Sequence, residues 1–198
     1  MRKQGVEAPA RKPLRQRLTV AHDHRGLEPA FEQCSTLLGL ARFIITSAVL
    51  DATRMHLKRH GTRGDEAALC WAGTVSANCG LITTAILFTD AGRWGGVNIS
   101  PAHTGLLYAH CHARGLTLLA QVHSHPFSAF HSDVDERLPH SAEPGFLSAV
   151  VPNFGKCAYD AFDDWCFFEQ TAYEVWREWD PAEKKRRLQI LDSIIVVP

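Results

Sequence analysis

His123 and His125 stand one residue apart in Gln121-Val122-His123-Ser124-His125-Pro126, and Ser132-Asp133-Val134-Asp135 follows after six residues, Pro126 to His131. Two imidazoles and a carboxylate suit zinc, and no fourth protein ligand accompanies them. Structural zinc sites are closed by four ligands, commonly cysteines, whereas catalytic sites keep one position open for water. Zinc brings the pKa of such a water from about 15.7 to roughly 7. A hydrolytic site then needs a base to take that proton and deliver it to the leaving group. The candidate lies far upstream, Glu66 in Asp65-Glu66-Ala67-Ala68-Leu69-Cys70-Trp71-Ala72-Gly73.

These residues must be positioned by the elements around them. Leu116 to Val122 is a short apolar run opened by Gly115 and stopped by Pro126, the pattern of a buried strand. Residues two apart on a strand share a face, so His123 and His125 can reach one ion. Pro126 ends the pairing and sends the chain over the site, and Ser132 caps a short helical turn that returns Asp135 as third ligand. Two other His-x-His pairs compete. His110-Cys111-His112 falls in a segment read as helix, where positions two apart diverge by roughly 200°. His22-Asp23-His24 has no Ser-x-x-Asp after it. Both read as surface histidines, and His131 and His140 as structural or exposed.

A glutamate opening a small-residue, apolar strand that closes on glycine, then His-Ser-His-Pro, then Ser-x-x-Asp, resembles the JAMM (MPN or JAB domain) zinc metalloproteases, in a prokaryotic-type, deubiquitinase-like form. The resemblance runs from about Ile44 to about Trp179. It implies that Glu66 is the general base, that His123, His125 and Asp135 bind one zinc per chain, and that Ser132 helps stabilise the oxyanion. The interval from His125 to Ser132 is one residue tighter than the family's usual spacing. The fold implied is α/β, a central twisted mixed sheet flanked by helices, similar to the JAB/MPN and cytidine-deaminase-like architecture. The activity implied is hydrolysis of an amide or isopeptide bond at the C-terminus of a ubiquitin-like protein, by deconjugation or precursor trimming. Two alternatives remain open: a non-catalytic MPN-type scaffold that docks partners, and a zinc peptidase acting on small peptide conjugates. Other zinc classes fit less well. There is no Pro-Cys-x-x-Cys of a zinc deaminase and no His-Glu-x-x-His of a zincin, and Phe127 sits where a metallo-β-lactamase-like site would want aspartate.

Composition is consistent with this reading. The 198 residues carry no formal net charge and the pI is about 7.2, so no global electrostatic argument favours nucleic acid or membrane. Six cysteines (Cys34, Cys70, Cys79, Cys111, Cys157, Cys166) form no Cys-x-x-Cys pair, and no secretory segment is visible. They read as reduced thiols of a cytoplasmic protein. The oligomeric state is open.

Residues 1–17 hold six Lys or Arg against Glu7 alone and read as a flexible basic arm; residues 18–198 read as a single domain. Within it, Leu18 to Val20 is an edge-strand candidate and Pro29 to Leu40 a helix or connector. Ile44 to Ser47 reads as a strand. Ala48 to His60 reads as an amphipathic helix with Val49, Ala52, His56 and Leu57 on one stripe, ended by Gly61. Ala67 to Gly73 and Leu81 to Phe88 are expected to pair across a Thr74 to Gly80 turn. Ser100-Pro101 opens a helix that stops at Gly115. Phe146 to Val151 and Cys157 to Gln170 read as strands joined by a turn at Pro152 to Gly155. Asp180-Pro181 starts a C-terminal helix, 181–195, with Leu188, Leu191, Ile194 and Ile195 as its stripe. The Gly73 to Gly80 segment or the Trp94 loop is the candidate substrate groove.

Overall fold

A computed structural model describes residues 37–88, 92–93, 96–97, 99–137, 139–156 and 162–192. The basic arm, His22, His24, Trp94 and the first candidate strand lie outside these residues. In chain order the elements are β1 (Arg42–Thr46), α1 (Ser47–Gly61), β2 (Ala68–Ser76), β3 (Cys79–Leu87), β4 (Gly92–Arg93), β5 (Gly96–Val97) and α2 (Pro101–Ala113). There follow β6 (Thr117–Ser124), α3 (Asp133–Arg137), β7 (Leu147–Val151), β8 (Cys166–Ala172), β9 (Val175–Glu178), α4 (Pro181–Arg187) and β10 (Leu188–Leu191).

Eight strands form one mixed sheet in the order β10-β1-β3-β2-β6-β7-β8-β9. β6 sits centrally, antiparallel to β2 and parallel to β7, and every residue from Leu118 to Ser124 is buried. A strand covered on both faces reads as a continuous apolar run, which is why this segment is recognisable in the sequence.

The two faces have different contents. Adjacent residues of a strand point to opposite sides, and Trp71 turns toward α1, where its indole N–H donates to Thr53 Oγ1 at 2.9 Å. On that side Trp71, Phe162, Trp165, Phe167 and Trp179 form a chain of ring contacts with centroids 5.3–6.5 Å apart. The opposite face carries a cross-strand row, Cys70, Gln121, Ser148 and Phe168, in register from β2 to β8. Buried Cys111 of α2 lies near Cys70 on this side.

Helix α1 forms where expected, with Thr46 as N-cap and Val49, Leu50, Thr53, His56, Leu57 and His60 buried. Gly61, however, is the last helical residue rather than a left-handed terminator. It is glycine because a side chain there would meet the Phe154 carbonyl and, at 2.6 Å, the Phe154 Cβ. Helix α2 is capped by Ser100, whose hydroxyl accepts from the His103 N–H at 3.3 Å. His110 and His112 are exposed on it and do not converge.

Three expectations are corrected. The β2–β3 connection is two residues, Ala77 and Asn78, because both strands run on into the segment read as a turn. The later strand begins at Cys166; residues 157–161 lie outside the described set. The C-terminal helix is only Pro181–Arg187, and at Leu188 the backbone becomes extended (φ −100°, ψ 130°). The chain then pairs in parallel with β1 from Phe43↔Leu188 to Thr46↔Leu191. The exposed edge of β1 gives the backbone of this apolar segment a ladder, and that outcompetes a helical stripe of four residues. Ile194 and Ile195 lie outside the described residues.

Candidate metal centre

The site is assembled at the end of β6. The antiparallel register sets Ala68 opposite His123, so the residues that precede β2 arrive beside the residues that end β6. Ser124, between the two histidines, closes the join. Its backbone N–H donates to the Ala67 carbonyl (2.9 Å), and its hydroxyl accepts from the Ala67 N–H (3.1 Å). Glu66 is thereby placed next to the histidines although 57 residues separate Ala67 from Ser124. His56 reaches across from α1 to the Ala68 carbonyl at 3.1 Å, bracing the same point.

His125 lies just past β6. Its N–H donates to the Val151 carbonyl (2.9 Å), and its own carbonyl accepts from the Phe154 N–H (2.7 Å). Phe154 belongs to a short turn, Asn153–Gly155, in which three successive residues are left-handed, with φ of 53°, 55° and 71°. Non-glycine residues cost about 1–2 kcal/mol each in that conformation. The turn is held by its hydrogen bonds and by the close approach at Gly61.

Asp135 comes from α3. Ser132 caps this helix, its hydroxyl accepting from the Asp135 N–H (3.3 Å). In return Asp135 Oδ2 accepts from the Ser132 N–H (2.8 Å) and from its hydroxyl (2.6 Å). The other carboxylate oxygen faces His123 Nε2 at 3.3 Å, and Oδ2 faces His125 Nε2 at 3.5 Å. One ligand atom from each of His123, His125 and Asp135 lies within 4.8 Å of the others. His123 Nε2 is buried and has no hydrogen-bond partner.

That orphaned nitrogen and the spacing test whether these residues fit a metal. Tetrahedral zinc with bonds of about 2.0–2.1 Å sets its ligand atoms roughly 3.3–3.4 Å apart. The two histidine-to-carboxylate distances, one to each Asp135 oxygen, lie near this value, one ligand atom from each residue lies within 4.8 Å of the others, and two nitrogens with one oxygen match a zinc donor set. The residues fit.

The electrostatics agree with the assembly. Burial pushes the Glu66 carboxyl up; the neighbouring His125 and His123 oppose the rise and Asp135 adds to it. Burial also disfavours an ionised Asp135, but the two facing imidazoles and the Ser132 hydroxyl outweigh it and hold that carboxyl far below the usual range. Burial lowers His140 to about 4 and His131 to about 4.

Glu66, His123, His125, Ser132 and Asp135 all line one cavity of about 830 Å³. Its remaining wall is largely apolar: Ile99, Pro101, Phe127, Phe130, Val134 and Pro139. Phe127, Phe130 and Val134 are more than half exposed, and Phe130 stands edge-on to His125 with ring centroids 4.7 Å apart. The five residues singled out in the sequence are therefore together. The Gly73 to Gly80 segment is not with them, because Gly73 pairs with Thr117 at the far end of β6 from His123. Sequence reasoning also missed Ser124, whose stitch to Ala67 has no signal beyond a serine between two histidines; the turn expected at Pro152 to Gly155 forms, but its left-handed backbone and its bond to the His125 carbonyl carried no signal.

No protein-family model matches the chain. A curated relative, Probable metalloprotease y4jG of Sinorhizobium fredii, is 31% identical over 147 residues, covering 71% of this chain and 89% of its own length. At that identity and coverage, and with the motif residues assembled as described, the chain belongs to the JAMM (MPN/JAB-domain) metalloprotease family. Among solved structures, the chain is similar in fold to the solution structure of protein DSY2949 from Desulfitobacterium hafniense, with a TM-score of 0.54, 13% identity, and 77% and 94% of the two chains covered. A crystal structure of AF2198, a JAB1/MPN domain protein from Archaeoglobus fulgidus, aligns at a TM-score of 0.42 and 15% identity over 76% and 98% of the chains. No helix among the described residues is long and apolar enough to cross a membrane.

Proposed function

We propose that this chain is a zinc-dependent peptidase that hydrolyses the amide or isopeptide bond at the C-terminus of a ubiquitin-like protein. The observation that carries the catalytic part is the convergence of Glu66, Ser132 and the His123, His125 and Asp135 cluster on one cavity. His123, His125 and Asp135 would hold one zinc ion, which would supply a Lewis acid and let water ionise near neutral pH. Glu66, whose carboxyl burial raises above its ordinary value, accepts the proton of the attacking water and passes it to the departing amine. The Ser132 hydroxyl turns from Asp135 to donate to the substrate carbonyl oxygen as negative charge develops there. Phe130 and the apolar rim thin the water around these groups, and charge interactions strengthen as the local dielectric falls.

The choice of a ubiquitin-like substrate rests on the family resemblance and on a cavity that opens to the surface beside exposed Phe127, Phe130 and Val134, where an extended tail can enter. Metal analysis of purified chain, followed by incubation of wild type and Glu66→Gln with ubiquitin-like fusions and mass measurement of products, tests the proposal. One zinc per chain and cleavage at the fusion junction by wild type alone are expected. Folded protein that holds no metal and cuts nothing refutes the enzyme and leaves the docking scaffold.

A further inference from the structure

Asp135 is carried by a weakly rooted element. α3 has five residues and not one of them is buried, and a helix that short has no stability of its own in water. The loop before it is six residues, Pro126 to His131, with Phe127, Ser128 and Phe130 exposed. Something outside the loop must fix where the Ser132 cap, and with it the carboxylate, comes to rest.

The structure shows two ties, both to strands that contribute nothing directly to the cavity's chemistry. The His131 ring lies flat on Phe168 of β8, with centroids 4.5 Å apart and planes at 14°, and edge-on to Trp176 of β9 at 4.8 Å. His131 Nε2 is within hydrogen-bonding distance of Ser148 Oγ (3.1 Å), and the same hydroxyl oxygen accepts from the Gln121 side-chain amide at 3.1 Å. Gln121 in turn accepts from the His140 backbone N–H at 3.0 Å. The Trp176 indole N–H then donates to the Glu136 carbonyl within α3 itself (3.2 Å). His131 does not line the cavity, whereas Ser132 and Asp135 do.

We infer that His131 is a positioning residue: clamped between Phe168 and Trp176 and tied through Ser148 to Gln121, it fixes the start of α3 so that the Asp135 carboxylate and Ser132 hydroxyl stay at the metal site. This rests on the zinc-site reading above. Ser148 and Phe168 lie in the same cross-strand row as Gln121, two residues before His123. One sheet row therefore sets both the histidine side of the site and, through His131, the aspartate side. The serine and histidine, which do not line the cavity, act on the site only through the groups they hold.

The test compares wild type with His131→Ala, His131→Phe and Ser148→Ala. His131→Phe keeps a ring between Phe168 and Trp176 and loses the bond to Ser148, which guards against simple misfolding in the alanine variant. Zinc affinity is measured by competition with a chromophoric chelator, alongside circular dichroism and thermal melting of the metal-free protein. Loss of a partner that orients a metal ligand typically weakens metal affinity or activity about 10- to 100-fold. His131→Ala is expected to weaken zinc by that factor with the fold retained, and His131→Phe and Ser148→Ala by less. The rise in melting temperature on adding zinc shrinks in the same order, and kcat falls while KM holds. Wild-type zinc affinity in a folded His131→Ala or His131→Phe overturns the inference alone. A wild-type chain that takes up no zinc overturns the site reading and the inference together.

Discussion

Replacing Glu66 by glutamine separates the base from the metal ligands more cleanly than any other change. The amide keeps the size of the carboxyl in a position that is 8% exposed, so the cavity keeps its shape. Glu66 is not a member of the His123, His125 and Asp135 cluster, so zinc content is expected to stay at the wild-type level. What disappears is the proton acceptor, a contribution of about 10² to 10⁴ in rate, or roughly 2.7–5.4 kcal/mol in the barrier at 1.36 kcal/mol per tenfold. Because one residue serves both proton transfers, the upper part of that range is expected in kcat, with KM nearly unchanged. The sign of the stability effect runs the other way. Burial raises the Glu66 carboxyl, so the folded state binds the proton more tightly than the unfolded one. Its ionisation costs stability as pH rises from the unfolded value, about 4.3, through the higher folded one. At neutral pH the glutamine variant, free of that cost, is expected to melt no lower than wild type. Zinc per chain by elemental mass spectrometry, single-turnover cleavage and melting curves at pH 5 and pH 7 read all three. Retention of more than a tenth of the rate, or loss of the metal, would show that Glu66 is not a base acting beside an independent metal site.

Ser132→Ala removes an oxyanion donor whose loss typically costs about 10² to 10³ in kcat, together with a helix cap worth about 1 kcal/mol. A stability loss with turnover unchanged, read by melting and kinetics on one preparation, would leave Ser132 as a cap only. Arg187→Met should destabilise by about 1–3 kcal/mol, because the Leu40 carbonyl loses its donor at 2.6 Å and buried Glu169 loses Arg187 Nη1 at 2.8 Å, while Arg177 at 2.6 Å and Trp179 at 3.0 Å still compensate its charge. Burial raises the Glu169 carboxyl, but hydrogen bonds from Arg187 and Trp179 outweigh that and set it below its ordinary value. The stability it contributes is thus present above about pH 4.3 and lost as pH falls through the lower folded value, so the Arg187→Met deficit in urea midpoint should narrow in acid. Gly61→Ala drives a methyl into the Phe154 carbonyl and Cβ. It should cost about 1–3 kcal/mol and weaken zinc binding, since Phe154 donates to the His125 carbonyl; full zinc affinity in the destabilised variant would detach that turn from the site.

What could be read in the sequence followed local rules. The Ser100-Pro101 cap, the α1 stripe and the apolar run of β6 each carry their signal within a dozen residues, and each appears in the structure where it was expected. β9 and β10 carry no such signal. Val175–Glu178 is almost wholly exposed, and Leu188–Leu191 is strand only because β1 offers an open edge more than a hundred residues away. The His123, His125 and Asp135 cluster was legible for a related reason: His-x-His at a strand end and a capped turn carrying aspartate fix their own geometry. His131 gave no such clue. Its neighbours come from β7, β8 and β9, which the linear sequence does not place beside it.

Glu66 is the instructive case, because its motif is legible only if the register is right. A slip of one residue between β2 and β6 would turn every side chain of one strand to the other face, and the carboxylate and imidazoles would part. The pairing runs without interruption from Ala68↔His123 to Trp71↔Ala120. β2 does carry irregularities, but they fall between Trp71 and Ala72 against β6 and between Ala72 and Gly73 against β3, beyond the stretch that aligns the site. Gly73 lies against the backbone carbonyl of Leu81 with no room for a side chain, so the glycine that marks the end of the motif in sequence marks, in the fold, the place where β2 departs from regular pairing. The strand departs from regular pairing beyond Trp71 and stays regular where Glu66 must meet His123 and His125, and that division brings the carboxylate to the imidazoles across 57 positions of sequence.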